Sequence, residues 1–314
     1  MGITYSKPNK LGVNSESASG FYSSVHNKFD SSNKESSIDE QKNYGPDSSL
    51  FSPNKSVFEN SEDLYDMTHA RRGMAIIFNH RRYVPQLGLN ERKGTDKDKE
   101  NLIDILDELG FETQVHEDLG YRDIIRVIQR LSSETDHKDA DCILVVVLTH
   151  GEEGTLYAHD HPYQSEKIWE PFNDIRCPSL SGKPKIFFIQ SCRGEEFDPG
   201  ITLTKKFVNT QHDSIPLEYK MTNCPDYLVV YSTVEGFYSW RNTRHGSWFI
   251  QSLCQNLSKY YKNGRDILSC MTATARQVAM NFESGVPKVP AMHEKKQVPC
   301  VNSTLTKEII FCTR

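Results

Sequence analysis

The sequence contains no long apolar run, no secretory signal and no excess of positive charge. Its longest uninterrupted apolar stretch, residues 142–148, has seven residues, whereas a membrane-spanning helix needs about 20. The first 30 residues hold no continuous apolar segment of the signal-peptide kind. The 314 residues carry 37 Lys and Arg against 42 Asp and Glu, a formal net charge of -5. This mild acidity predicts no nucleic-acid partner, because nucleic acids are bound through clustered Lys and Arg.

The eight cysteines form no Cys-x-x-Cys pair and no short, regular spacing of the disulfide-scaffold type. In a chain of this length, scattered cysteines are typical of reduced thiols, and we predict a cytoplasmic protein. The eleven histidines and the cysteines also show no metal-ligand spacing. The sequence therefore predicts neither a metal site nor a cofactor.

The first 66 residues differ in composition from the rest of the chain. They hold fifteen Ser and seven Asn, few aliphatic residues and no sustained strand or helix period. Such a segment buries too little apolar area to offset the entropy of ordering. We predict that residues 1–66 are disordered. Compositional order begins near Gly73, which leaves 242 residues to Arg314, enough for one well-cored domain.

The ordered part alternates apolar runs with amphipathic segments, which predicts an α/β fold. Runs that are apolar on both faces indicate parallel strands covered on both sides, and they lie at 74–78, 142–148, 186–189 and 227–231. Further strands are predicted at 111–116 and 308–312, and helices at 95–109, from about 121, and around 250–261 and 268–282. In the first helix, Thr95 and Asp98 have the spacing of an N-terminal capping box, and Gly110 marks its end.

Two reactive side chains follow central apolar strands. His150 comes just after the strand that ends at residue 148, and Cys192 just after the strand that ends near 190. Ligands bind beyond the carboxyl ends of such strands, so both residues face one crevice if the strands are neighbours. A thiol of pKa near 8.5 is mostly protonated at neutral pH and needs a base, which His150 can supply. On these residues alone, a buried apolar cysteine and a surface histidine remain open alternatives.

The residues around Cys192 resemble the nucleophile motif of the caspases, the aspartate-directed cysteine proteases. Residues 190–194, Gln-Ser-Cys-Arg-Gly, match that motif except for Ser191 in place of Ala. His150 lies 42 residues before Cys192, against roughly 50 in the family. Other matching segments lie at 149–154, 182–185, 231–233, 238–242, 246–253 and 296–300. The resemblance extends from about Gly73 to Phe311 and is strongest to executioner caspases of the caspase-3 and caspase-7 kind.

The resemblance implies a single domain with an open, mostly parallel six-stranded sheet and helices on both faces. It implies that Cys192 is the nucleophile, that His150 is its acid/base partner, and that the backbone amides of Gly151 and Cys192 form the oxyanion hole. The implied substrates are proteins with aspartate at P1, the residue whose carbonyl is attacked.

The implied substrate-binding residues form three sets. The pocket for the P1 aspartate has Arg92, Gln190 and Arg241, the S2 wall has Tyr238 and Trp240, and the S4 subsite has Asn242 and Trp248. Two guanidinium groups suit a short carboxylate, because their planar donors grip both of its oxygens. The loop after Phe282 lacks the further aromatic residues of executioner caspases, so the preference at P4 stays open.

The resemblance also implies a zymogen that is activated by cleavage after aspartate. The expected cut between a large subunit (67–213) and a small subunit (214–314) follows Asp213, which precedes Ser214. Removal of a pro-segment (1–66) after Asp47 or Asp30 is expected, with Asp47 preferred. The implied assembly is a homodimer of cleaved protomers, with two large and two small subunits. Implied partners are an upstream initiator caspase and apoptosis-inhibitor proteins. The resemblance also implies that this chain is an executioner of apoptosis.

The first six residues, from Met1 and Gly2 to Ser6, fit the N-myristoylation pattern. A membrane association is therefore expected only if Gly2 is acylated, and one acyl chain binds membranes marginally.

Two other functions compete with the protease. A catalytically silent caspase homologue acts as a regulatory scaffold, but such proteins usually lose a catalytic or pocket residue. A related protease that cuts after basic residues needs an acidic pocket, against which Arg92 and Arg241 argue. The sequence therefore predicts an active, aspartate-specific protease.

Overall fold

The computed structural model describes residues 62–200 and 225–313. The strands are β1 (Met74–Asn79), β2 (Glu112–Glu117), β3 (Ile143–Leu148), β4 (Gly151–Glu152), β5 (Thr155–Tyr157), β6 (Pro162–Gln164), β7 (Lys185–Gln190), β8 (Tyr227–Tyr231), β9 (Arg241–Asn242), β10 (Gly246–Ser247) and β11 (Cys300–Ser303). The α-helices are α1 (Thr95–Glu108), α2 (Tyr121–Gln129), α3 (Trp248–Lys262) and α4 (Ile267–Asn281). Short 3₁₀ turns lie at Pro85–Leu87, Ser165–Ile168, Glu170–Phe172, Pro178–Leu180 and Pro290–Met292, and a π turn at Arg130–Glu134 extends α2.

Six strands form one open sheet in the order β11-β8-β7-β3-β1-β2. All neighbours are parallel except β11, which runs antiparallel to β8. The central strands β3, β7 and β8 are buried along their whole length, as expected when helices cover both faces. Strands β3 and β7 are direct neighbours, with Leu148 opposite Gln190. The predicted α/β fold with a mostly parallel six-stranded sheet is confirmed.

Each face of the sheet has its own apolar core. Alternate residues of the strands point to opposite faces, so Leu144 and Val146 pack on one side and Val145 and Val147 on the other. Helices α1, α3 and α4 cover the first face, and α2 with the turns between β6 and β7 covers the second. No helix among the described residues has both the length and the apolar character needed to cross a bilayer.

The predicted last strand is wrong. The antiparallel edge strand is β11, at Cys300–Ser303, and the segment 308–312 forms only an isolated bridge from Glu308 to Leu64. Ile309 and Phe311 are buried because they pack against the helices, where the Ile309 carbonyl accepts the N–H of Ile267. Their alternation therefore indicated burial, and did not indicate a strand.

The predicted capping box of α1 is also wrong. The N-cap residue of the helix is Gly94, which has a left-handed φ of 88°. No side chain at this position caps the first turn with a hydrogen bond. Thr95 instead donates its hydroxyl to Asn79 Oδ1 at 2.7 Å, and Asp98 accepts bonds from the distant Ser247. Both side chains therefore bond to residues that are distant in the sequence and do not bond within the first turn of the helix.

The described fold begins before Gly73. Tyr65 is buried, its N–H bonds to the carbonyl of Glu308, and its hydroxyl donates to Asp226 Oδ1 at 2.7 Å. The disorder predicted up to residue 66 is therefore wrong for the segment around Tyr65, whereas the boundary of the pro-segment stays a prediction.

Arg72 joins both ends of the described chain to the sheet. The side chain is 1% exposed, and its Nη1 lies 2.8 Å from Asp141 Oδ2, just before β3. Its Nε donates to the carbonyl of Leu109 at the end of α1, and its Nη2 donates to the carbonyl of Cys312. One guanidinium thus holds three separate segments together.

Replacing Arg72 by Ala is expected to lower the free energy of unfolding by about 3–5 kcal/mol, because it leaves the buried Asp141 carboxylate without its guanidinium. Denaturant unfolding measures this change. The control is Arg122→Ala on the exposed face of α2, which should stay within about 0.5 kcal/mol. Equal effects of the two substitutions would show that Arg72 does not hold these segments.

Candidate active site

The carboxyl ends of β3 and β7 bring His150 and Cys192 to one edge of the sheet. The N–H of Thr149 donates to the carbonyl of Gln190 at 3.0 Å, which fixes the two strand ends side by side. A side chain at Gly151 would lie 2.8 Å from the carbonyl oxygen of Cys192, so only glycine fits between them. The strand ends that carry His150 and Cys192 are therefore neighbours, as the strand order requires.

The imidazole of His150 is held in one orientation. Its Nε2 lies 2.8 Å from the carbonyl oxygen of Asn90, and because a carbonyl only accepts, Nε2 carries the proton and Nδ1 is left as the base. The backbone N–H of His150 donates to the hydroxyl of Tyr83, whose ring lies 5.1 Å from the imidazole between centroids. That hydroxyl also bonds to Thr149 Oγ1.

Burial favours the neutral form of both His150 and Cys192. Burial lowers the pKa of His150 to about 4, against which the Asn90 carbonyl acts only in part. Burial raises the pKa of the Cys192 thiol, although the N–H of Ser239, 3.4 Å from Sγ, and the charges of Arg241 and Arg92 oppose this. A neutral imidazole beside a neutral thiol can act as general base when a substrate is attacked.

Arg92 is a fully buried guanidinium with free donors. It is 0% exposed, and its Nη1 donates to the carbonyl of His80 and to Thr95 Oγ1. Its Nε and Nη2 are buried with no hydrogen-bond partner among the described residues. Burial lowers the pKa of Arg92. A buried charge is normally paired, so these free donors indicate a place for a ligand.

Arg241 and Gln190 complete what we name the aspartate pocket, defined by Arg92, Gln190 and Arg241. Arg241 Nε donates to the carbonyl of Lys93, and no carboxylate of the described chain lies within 4.0 Å of this guanidinium. Burial lowers the pKa of Arg241 to about 9, and repulsion by Arg92 acts in the same direction. Gln190 Nε2 donates to Ser239 Oγ, whereas its buried Oε1 has no partner in the described part. Two like charges without an anion can bind a carboxylate through charge-assisted bonds.

A continuous row of aromatic rings lies beside this pocket, with three stacked contacts and one tilted contact. Its members are Tyr238, Phe197, Trp240, Trp248 and Phe282, with successive centroids 4.5, 5.8, 5.8 and 5.4 Å apart. The predicted S2 and S4 residues are thus neighbours. Asn242 lies on the exposed rim, where its Oδ1 accepts the N–H groups of Arg244 and His245.

Sequence reasoning missed several residues of the site. Phe197 contacts both Tyr238 and Trp240, but it stands alone in a charged stretch and gives no periodic signal. Tyr83 and Asn90 orient His150 through a hydroxyl and a carbonyl oxygen. Neither group can be recognised as functional without its three-dimensional position.

Other predictions remain untested. Asp213, Asp47, Asp30 and Gly2 lie outside the described residues. Within the described ranges, no three His, Cys, Asp or Glu side chains are grouped so as to hold a metal, and none of the seven cysteines there is in a disulfide.

Comparison with known proteins gives consistent matches. A family model described as the caspase domain matches residues 72–310. Caspase drICE of Drosophila melanogaster is 46% identical over 273 residues, which are 85% of this chain and 78% of that protein. Caspase-3 of Felis catus is 37% identical over 285 residues, 89% of this chain and 99% of that protein. The crystal structure of Caspase-1 from Spodoptera frugiperda matches with a TM-score of 0.73 and 43% identity, covering 83% of this chain and 97% of that one.

The buried His80 beside Arg92 should make stability fall in mild acid. Burial lowers the pKa of His80 to about 4, against an ordinary value near 6.5. Between these values the unfolded chain binds more protons than the folded one, so the free energy of unfolding decreases as pH falls. For His80 alone the decrease from pH 6.5 to 5 is about 1.5 kcal/mol.

Denaturant unfolding at pH 7, 6 and 5 measures this dependence. His80→Asn, which does not titrate, should show a flatter profile by about that amount. A profile as steep as that of the unaltered chain would exclude His80 as a source of the pH dependence.

Proposed function

The chain belongs to the caspase family, and from that premise we propose that it cleaves proteins after aspartate with Cys192 as nucleophile and His150 as acid/base partner. It is an aspartate-specific cysteine protease by family. Its similarity to caspase-3 and caspase-7 relatives supports a role as an executioner of apoptosis. None of the seven cysteines of the described part is in a disulfide, which supports action in the reducing cytoplasm.

One observation carries the specificity for aspartate. Arg92 and Arg241 are two guanidiniums in a desolvated pocket, and no described carboxylate pairs with either. Each charge-assisted hydrogen bond to a bound carboxylate contributes about 1.5–3 kcal/mol. A neutral isostere such as asparagine forfeits those bonds and leaves the donors buried, which is a strong basis for rejection. A silent homologue is disfavoured, since Cys192, His150, Arg92 and Arg241 are all present in the sequence.

The catalytic cycle follows from the neutral pair. His150 Nδ1 takes the proton of the Cys192 thiol as Sγ attacks the backbone carbonyl carbon of the P1 aspartate. The backbone N–H groups of Gly151 and Cys192 stabilise the oxyanion. His150 then gives its proton to the leaving amine, so the peptide bond breaks and an acyl-enzyme remains. Water, deprotonated by His150, hydrolyses the thioester and restores the thiol.

The aromatic row supports the assignment of the outer subsites. Tyr238 and Trp240 form the S2 wall, and Trp248 with the rim amide of Asn242 forms S4. The loop after Phe282 contributes no aromatic side chain to S4, which favours a relaxed preference at P4.

Activation and assembly complete the proposal. Cleavage after Asp213 separates a large subunit with Arg92 from a small subunit with Arg241, and pro-segment removal follows Asp47 or Asp30. Strand β11 is at the edge of the sheet, and its position supports pairing of two cleaved protomers there, with two large and two small subunits. An initiator caspase as activator and apoptosis-inhibitor proteins as ligands are part of the proposal.

Replacing Arg241 by Gln is expected to reduce kcat/KM for a peptide ending in aspartate by about 10²- to 10⁴-fold, because two charge-assisted bonds are lost. Fluorogenic tetrapeptides that end in Asp or in Asn measure the change. The control Arg244→Gln alters an exposed arginine on the same hairpin and should keep full activity. A similar small loss of kcat/KM in both variants would show that Arg241 does not bind the P1 aspartate.

Replacing Asp213 by Ala should leave an uncut chain with little activity, because the subunits cannot separate at their junction. Gel electrophoresis and peptide hydrolysis of the same preparation measure cutting and activity. Cys192→Ala, which cannot cut itself or a substrate, sets the zero of the assay. An uncut Asp213→Ala chain as active as the unaltered protein would contradict the proposed activation.

A further inference from the structure

Asp98 is a buried carboxylate on the first turn of α1, next to the aspartate pocket. It is 0% exposed, and no basic nitrogen lies within 4.0 Å of it in the described ranges. Its charge nonetheless acts on both Arg92 and Arg241, where it favours the charged guanidinium. The mechanism assigns it no role, and a buried charge of this kind requires an explanation.

The two oxygens of Asp98 anchor the hairpin formed by β9 and β10. Oδ1 accepts the backbone N–H of Ser247 at 2.7 Å, and Oδ2 accepts its hydroxyl. A side chain at Gly246, where φ is +89°, would lie 2.3 Å from Oδ1, so only glycine lets the carboxylate approach this closely. Because β9 begins with Arg241, the contact fixes the hairpin that carries one pocket guanidinium.

A second contact joins the same two segments. Arg241 Nε donates to the carbonyl of Lys93, and a side chain at Gly94 would lie 2.6 Å from the carbonyl oxygen of Asn242. The segment 92–98 therefore carries Arg92 and Asp98 against the hairpin 241–247. The proposed cut after Asp213 would place these segments in different subunits, and their contacts would then hold the pocket together.

The charges around the pocket explain why the anchor is an acid. Arg92 and Arg241 repel each other in a desolvated site, and Asp98 is the described carboxylate that acts on both. Burial raises the pKa of Asp98. The hydrogen bonds from Ser247 lower it, and so do the positive charges of Arg92 and Arg241. The positive end of the α1 dipole also favours an ionised side chain in the first turn.

We propose that Asp98 is a positioning residue of the aspartate pocket, where it anchors the hairpin of Arg241 and serves as the counter-charge of both guanidiniums until a substrate carboxylate arrives. This inference rests on the proposed function of the pocket. The Asp98 carboxylate therefore has two opposite effects. It stabilises the empty pocket, and it weakens substrate binding because it repels the carboxylate of the substrate.

Asp98→Asn separates charge from shape. Its amide oxygen can still accept the Ser247 N–H, and its amide group can donate to the Ser247 hydroxyl, so the anchor survives without the charge. The empty pocket should then be less stable, and a bound carboxylate should gain more. Removing the repulsion between the Asp98 carboxylate and the substrate carboxylate, at pocket distances in an effective dielectric of about 20, implies about 3- to 30-fold tighter binding.

The test compares Asp98→Asn with Ser247→Ala and Asp104→Asn. Ser247→Ala removes one hydrogen bond and keeps the charge, and Asp104→Asn removes an exposed charge from the same helix. Inhibition constants are measured for two tetrapeptide aldehydes that end in Asp or in Asn, with Tm values in their absence and presence.

Asp98→Asn should have a lower Tm when empty, a larger rise in Tm with the Asp aldehyde, and about 3- to 30-fold tighter inhibition by it alone. Ser247→Ala should lose stability without tighter inhibition, and Asp104→Asn should match the unaltered chain. A lower Tm with unchanged or weaker inhibition by the Asp aldehyde would reduce Asp98 to a structural residue and overturn the proposal.

A variant that fails to fold alone still gives an answer. The Asp aldehyde should then recover folded Asp98→Asn protein, because its carboxylate supplies the missing counter-charge, and the Asn aldehyde should not. Recovery by neither or by both aldehydes would contradict the proposal. If the unaltered chain binds neither aldehyde, the proposed function fails, whereas a failure confined to Asp98→Asn counts against the role of Asp98.

Discussion

The site depends on two guanidiniums, the buried Arg92 and the half-buried Arg241, which have no carboxylate within salt-bridge distance among the described residues. Placing them close together away from water is unfavourable, because each loses hydration and each repels the other. The surrounding fold tolerates this arrangement through carbonyl and hydroxyl acceptors from His80, Thr95 and Lys93. The remaining donors are left for a ligand, so the energetic cost of the empty pocket becomes selectivity for an acid.

The parallel sheet determines where this charge meets the chemistry. Strands β3 and β7 end together and deliver His150, Gln190 and Cys192 to one edge. The glycine at 151 allows the two strand ends to approach, and the Asn90 carbonyl fixes the tautomer that leaves Nδ1 basic. The same positive charges help to keep His150 neutral and favour the thiolate of Cys192. Specificity and reactivity therefore share one electrostatic environment.

Sequence reasoning was most successful where a signal is local and repeated. The apolar runs predicted the central strands, and the neighbouring ends of β3 and β7 lie where the residues after those runs suggested, whereas the dyad itself stays a prediction. It failed where partners are distant in the chain: Asp98 bonds to a residue 149 positions away, and Tyr83 to one 67 positions away. The burial of Arg92 and the partial burial of Arg241 could be inferred only from family resemblance, because an isolated arginine gives no sign of its environment. The apolar alternation near Phe311 indicated burial correctly but could not distinguish a strand from a packed coil.

The most direct test of this account is a structure of the chain bound to a peptide aldehyde that ends in aspartate. The aldehyde carbon should be bonded covalently to Cys192 Sγ, and the aspartate carboxylate should be hydrogen-bonded to Arg92, Gln190 and Arg241. The imidazole of His150 should retain its bond to the Asn90 carbonyl. A carboxylate placed in solvent or against other residues, with neither guanidinium bonded to it, would show that Arg92 and Arg241 do not bind the P1 aspartate.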